Sequence, residues 1–137
     1  FEGLPPPDPE KFPEDEKSKF HTMDVTKVDL DEVKENFKLY DVLDDGVFFM
    51  KGWFKDSLKD TPFQKLSILR LDGDMYESTW EILENLYDKL SIGGYAIVDD
   101  YNLAPCRSAV DDFRKQHDIS DEIKEIDGAG IFWKKSK

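Results

Sequence analysis

The chain is poor in several things, and each shortage excludes something. It has one cysteine, Cys106, in 137 residues. That rules out an intrachain disulfide framework and any multi-cysteine metal site. Its two histidines, His21 and His117, have no partner spacing that suggests a metal or catalytic pair. Basic charge is scarce: Lys plus Arg number 19 against 31 Asp plus Glu, a net charge of −12. Such a balance opposes phosphate backbones and anionic bilayers, so neither nucleic acid nor a membrane is expected as a partner. No apolar run approaches the roughly 20 residues that span a bilayer. There is no phosphate-cradling glycine-rich loop, no specific Ser–His–Asp or Cys–His arrangement and no internal repeat. An initial Met is also missing. The opening Phe1-Glu2-Gly3-Leu4 reads like the middle of something, as in a fragment or a processed piece.

What is present fits one folded domain. A chain of this length buries about two-thirds of its unfolded surface. Aromatic residues at 13% argue against wholesale disorder. Residues 1–28 carry Pro5, Pro6, Pro7, Pro9 and Pro13, which favour extended or turn geometry. This segment is either a solvated arm or a lid, with Phe12, Phe20 and Met23 as its apolar contacts.

The rest alternates. Asp29 to Tyr40 predicts a helix capped by Asp29, with Leu30, Val33, Phe37 and Tyr40 on one face. Val47 to Met50 suits a short buried strand. Leu66 to Leu71 is a second strand candidate, ending at Asp72-Gly73-Asp74. Ser78 or Thr79 is placed to cap the next helix, whose stripe is Trp80, Leu83, Leu86, Tyr87 and Leu90. Gly93-Gly94 is expected to end that helix. Tyr95 to Val98 is a third strand candidate, ending at Asp99-Asp100. Pro105 suits the first turn of a helix buried through Val110 and Phe113. Ile123 to Ile126 and Ile131 to Trp133 are expected to close the sheet as an antiparallel pair. Strand–helix alternation predicts an α/β fold with a mostly parallel sheet.

Ligands of open parallel sheets bind at the carboxyl ends of the strands. Asp72 with Asp74, and Asp99 with Asp100, occupy two such ends. If the strands are neighbours, these ends lie about 5 Å apart. Carboxylates so close repel unless a cation neutralises them, and all-oxygen ligation suits Mg²⁺, Ca²⁺ or Mn²⁺. Asp and Gly after strands are also ordinary turn and cap residues, and Asp74 is the weakest candidate ligand. Cys106 reads as a structural thiol and His117 as a surface residue.

LRLDGDMYEST (Leu69 to Thr79) followed by GGYAIVDDY (Gly93 to Tyr101) carries a resemblance. FEGLPPPD (Phe1 to Asp8), KGWFKDSL (Lys51 to Leu58) and CRSAVDDFR (Cys106 to Arg114) extend it over essentially the whole chain. The chain resembles the macrocin O-methyltransferase, or TylF-like, family of class I S-adenosylmethionine-dependent enzymes. The resemblance implies a Rossmann-like sheet with an antiparallel C-terminal strand, lacking the first strands. It implies a single, partial methyltransferase domain over 1–137. It implies a cytoplasmic enzyme using S-adenosylmethionine and a divalent cation, normally Mg²⁺, to methylate a hydroxyl of a small-molecule glycoside or polyol. Carried over by motif, Asp72, Asp99 and Asp100 are the metal ligands, and Asp72 is also the general base. Gly52 and Trp53 fall where the donor's adenine packs. Glu2 and Gly3 follow the strand whose acidic end holds the ribose. A second copy of the chain is a further expected partner.

Family members carry an N-terminal half with a first strand, a glycine-containing donor loop and a first crossover helix, whereas this chain opens just after the second strand. The resemblance therefore covers the C-terminal part of a methyltransferase, from a partial sequence or a truncated relative. Two other readings compete. Asp72-Gly73-Asp74 is also a DxD motif of the kind glycosyltransferases use to hold Mn²⁺ and a nucleotide diphosphate. A truncated α/β module that only associates with a partner is the non-catalytic option.

Overall fold

The computed structural model describes residues 1–137. Its elements run α1 (Leu30–Leu39), a short α2 (Phe54–Ser57), β1 (Leu66–Leu71), α3 (Tyr76–Leu86), β2 (Leu90–Val98), α4 (Ala104–Gln116), β3 (Lys124–Glu125) and β4 (Ile131–Lys134). The four strands form one sheet in the order β1-β2-β4-β3. β1 and β2 are parallel, while β4 pairs antiparallel with both β2 and β3. No helix is long and apolar enough to cross a membrane.

The core lies on one face of this sheet. Alternation along the strands sends Leu69, Leu71, Ala96, Val98, Ile131 and Trp133 inward. They pack with Leu83 and Leu86 of α3 and with Val110 and Phe113 of α4. Tyr87 joins this core, and its hydroxyl accepts from the Trp133 indole at 3.1 Å. On the opposite face Ile68 and Tyr95 are exposed. The α/β class follows from this layering. Parallel pairing is confined to β1–β2, because Val47–Met50 forms no strand and Phe48 is exposed. That run packs through aromatic edges instead: Phe49 meets Phe37 at 5.4 Å and Phe1 at 6.4 Å between ring centroids.

Local signals are correct where the partner is near in sequence. The Asp29 side chain accepts from the amides of Asp31 and Glu32 and starts α1. Leu30, Val33 and Phe37 are half-buried on its inner face, but Tyr40 is exposed, just past the last turn. Pro105 sits in the first turn of α4. Two expectations fail. Ser78 and Thr79 are buried inside α3 and cap nothing, because the helix begins earlier, at Tyr76. Gly93 and Gly94 do not end a helix either. α3 stops at Leu86, a 3₁₀ turn follows over Tyr87–Lys89, and the glycines lie within β2.

Their job in β2 is to let the strand bulge. Register jumps from Leu66↔Leu90 to Ile68↔Tyr95, so β2 carries extra residues between these pairs. Gly93 takes φ +85°, which favours glycine. A Cβ on Gly94 would lie 2.7 Å from the Ser67 carbonyl oxygen and 2.9 Å from that of Ser91. Backbone atoms cannot give way there. Gly94→Ala is therefore expected to lower the unfolding free energy by about 1–3 kcal/mol, the range of overpacking in a tight interior. Thermal melts of the two proteins check this.

Candidate functional site

Parallel pairing of β1 with β2 sets the site. The register runs to Leu71↔Val98, and the Asp99 amide extends the ladder by donating to the Leu71 carbonyl at 2.9 Å. The next residues on each strand are thus delivered side by side. Carboxylate oxygens of Asp72, Asp99 and Asp100 all lie within 4.8 Å of one another. Asp72 and Asp99 are about half exposed. Asp100 is more enclosed and accepts from the Asp74 amide at 3.3 Å.

Three carboxylates this close need positive charge. In this structure Arg70 provides it. Its guanidinium donates to Asp72 Oδ2 at 2.8 Å and pairs with Asp99 Oδ2 at 2.7 Å. Arg70 lies two residues before Asp72 on β1, and that spacing puts both on one side of an extended chain. The Arg-Leu-Asp spacing is the sequence signal for this pair. Burial pushes the Asp74 carboxyl up to about 6, aided by the Asp100 and Asp72 charges beside it. Asp100 is also raised, chiefly by burial. Asp74 does not cap α3. It takes φ +53° in the turn, a left-handed conformation that Asp adopts more readily than most residues.

The donor set fits a hard divalent cation. Oxygens on opposite sides of such an ion, bound at about 2.1–2.4 Å, lie about 4.2–4.8 Å apart. The observed span falls within that limit, all donors are oxygen, and two of the three, Asp72 and Asp99, already take a cationic partner in Arg70.

Beside the carboxylates is a cleft of about 180 Å³. Phe1, Gly3, Gly52 and Trp53 line it together with Asp72, Gly73, Glu77 and Ser78. Gly3, Gly52 and Trp53 also border a second hollow together with Glu2. Glu2 itself pairs with Lys51 at 2.6 Å, which holds its carboxyl below the usual range. The four residues expected at the donor thus come together from two separate segments. Glu77 was not anticipated. It is largely buried, and that burial raises its pKa.

The arm is not simply solvated. Phe12 and Asp15 are buried, and Phe12 packs against Tyr76 with centroids 5.9 Å apart. Of the other expected apolar contacts, Phe20 is partly covered and Met23 is exposed. His117 is exposed and stacks on Phe113, with centroids 4.2 Å apart. Cys106 is buried, and that burial pushes its thiol up to about 11, as suits a structural residue.

Comparison with known proteins gives a consistent result. The family model described as macrocin-O-methyltransferase (TylF) matches residues 1–135. Demethyldecarbamoylnovobiocin O-methyltransferase of Streptomyces niveus is 46% identical over 139 residues, covering 100% of this chain and 53% of that protein. The 8-demethyl-8-(2,3-dimethoxy-alpha-L-rhamnosyl)-tetracenomycin-C 4'-O-methyltransferase of Streptomyces olivaceus is 47% identical, covering 98% of this chain and 52% of that protein. The solved structure of the O-methyltransferase NovP superposes with a TM-score of 0.95 at 46% identity, covering 99% of this chain and 57% of that one. The chain spans about half the length of the curated relatives it matches. These likenesses leave no place for the glycosyltransferase reading of Asp72-Gly73-Asp74: the chain belongs to the macrocin O-methyltransferase (TylF) family.

Proposed function

We propose that the protein containing this chain is a cytoplasmic, S-adenosylmethionine-dependent O-methyltransferase that acts on a sugar or related hydroxyl of a small molecule, with a divalent cation, normally Mg²⁺, held by Asp72, Asp99 and Asp100. The observation that carries this reading is the meeting of these three carboxylates at two adjacent parallel strand ends, with Asp72 on the rim of a cleft. Family membership supports the reaction type. A sugar acceptor is supported by the relative whose name places its methylation on a rhamnosyl 4'-oxygen.

When bound, the cation supplies acidification of an alcohol, and the donor supplies a methyl group already activated on sulfur. The chain's residues supply placement and a proton acceptor. Gly52 and Trp53, with Glu2 and Gly3 beside them, hold the donor's nucleoside. The flat Trp53 ring gives an apolar face, and Gly52, at φ +144°, lets the backbone approach closely. Asp99 and Asp100 hold the acceptor's side of the site. Asp72 takes the hydroxyl proton as general base. Holding both reactants in line provides much of the barrier reduction, and the arm over the cleft excludes water.

One observation favours a second reading of the base. Asp72 is committed to Arg70 and to the shared oxygen cluster, whereas Asp74 makes no ion pair and sits against Asp100 with its carboxyl pushed up to about 6 by burial. Asn substitution separates the two roles. Asp72→Asn is expected to abolish turnover and weaken Mn²⁺ binding together. Loss of turnover in Asp74→Asn at unchanged Mn²⁺ affinity assigns the proton to Asp74. Replacing Asp99 and Asp100 together removes the dependence of rate on added Mg²⁺. Calorimetric titration of S-adenosylmethionine tests donor binding, and its absence together with a stable self-association favours the non-catalytic association module.

Asp74 also makes a prediction for stability. Its folded pKa of about 6 exceeds the unfolded value of 3.8, so the native state binds this proton more tightly. The resulting stabilisation is full below pH 3.8 and is lost as pH rises through about 6. Asp74→Asn mimics the protonated form. With EDTA present, its melting temperature should match the unaltered protein near pH 4 and exceed it at pH 8.

A further inference from the structure

The arm and the carboxylate loop meet at one buried group that the proposed reaction does not use. Asp15 is fully buried, and both its oxygens are engaged by α3. Oδ1 accepts from the Tyr76 amide and Oδ2 from the Glu77 amide, each at 2.8 Å. The helix has no side-chain cap of its own, since its N-cap residue is Met75. Its first amides need acceptors, and a carboxylate there also meets the positive end of the helix dipole. Asp15 fills this place from some sixty residues away, with Phe12 packed on Tyr76 and Lys11 4.0 Å from Glu81 beside it.

Two things hang on this cap. Downstream of β1, only the loop of Asp72 to Met75 separates the strand from the capped turn. The Asp74 amide ties the loop to Asp100, and the capped turn holds its other end. Upstream, the arm begins with Phe1, Gly3, Leu4 and Pro5 among the residues that line the cleft. We propose that Asp15 is a positioning residue: its two bonds fix the first turn of α3, through it set the Asp72–Asp74 loop against Asp99 and Asp100, and anchor the arm beside the cleft. Asp15 touches neither the cation nor the reactants. The inference rests on the cation-binding reading given above.

The test measures Mn²⁺ affinity by electron paramagnetic resonance in the unaltered protein, Asp15→Ala, Asp15→Asn and Val110→Ala. Val110 is a core residue of α4 with no hydrogen bond to Asp15 or the loop, so its variant reports what lost stability does. Asp15→Ala is expected to bind Mn²⁺ at least tenfold more weakly. Asp15→Asn should fall between, because its single carbonyl oxygen retains one amide bond. Val110→Ala should keep the original affinity. Hydrogen exchange across residues 72–77 and 8–16 should rise in both Asp15 variants and not in Val110→Ala. Unchanged affinity in both Asp15 variants, or an equal loss in Val110→Ala, overturns the proposal. If Asp15→Ala does not fold, the isosteric Asn variant carries the comparison. Absence of Mn²⁺ binding in the unaltered protein defeats the cation reading instead. Exchange at 72–77 then decides the matter: a rise supports the anchoring role of Asp15, and no change overturns it.

Discussion

The register between β1 and β2 is the constraint from which the site follows. Pairing carried to Leu71↔Val98, and one bond further to Asp99, makes the strands end together. A parallel pair places both carboxyl ends at the same edge of the sheet. An antiparallel pair would put Asp72 and Asp99 at opposite edges, and no side-chain rotation would recover their meeting. The inward residues that hold this register, Leu69, Leu71, Ala96 and Val98, are among the most buried in the chain. The hydrophobic effect thus fixes a geometry that electrostatics alone would oppose. The bulge at Gly93-Gly94 lies at the far end of the same pair, so its irregularity is kept away from the strand ends.

Repulsion at those ends is answered in three ways. Arg70 supplies positive charge to Asp72 and Asp99. The Asp74 amide supplies a dipole to Asp100. Half-exposure of Asp72 and Asp99 leaves them partly to water, which weakens the repulsion. A guanidinium is a broad, weakly hydrated cation that matches carboxylates as a fork. It satisfies two of the three acids. Asp100 is left to the Asp74 amide, and burial raises the proton affinity of both Asp74 and Asp100.

Legibility in the sequence follows the distance over which each interaction acts. The Asp29 cap, the Pro105 helix start, Leu83 and Leu86 on α3 and the antiparallel closure around Gly128 are set by residues within a turn or two of one another, and periodicity finds them, whereas Tyr87 and Leu90, expected on the same helix, lie in the 3₁₀ turn and in β2. The acidic strand ends were readable for a similar reason, since each follows its strand directly and only their neighbourhood had to be assumed. Val47 to Met50 shows where the method stops. An apolar run has strand character, but a strand exists only beside a partner, and these residues find aromatic edges instead. Ser78 and Thr79 failed as caps because the true cap comes from Asp15, and nothing in the local pattern ties a proline-rich arm to a helix some sixty residues on.

That remote cap changes what the arm is. A proline-rich segment loses less entropy on ordering than a flexible one, because its backbone is already restricted in the unfolded chain. Two charge-assisted bonds and one buried ring then help to dock it, beside the Glu2–Lys51 pair and the Phe1–Phe49 contact. Burial of the Asp15 carboxylate works against its charge and raises its pKa, and the two α3 amides offset part of that penalty. They are the same amides that would otherwise be orphaned at the start of the helix. Each partner removes the other's defect: a buried charge gains donors, and a helix with Met75 at its N-cap gains an acceptor. The helix so capped is the one that follows the Asp72–Asp74 loop, so the arm, the loop and the cleft wall share a single point of attachment.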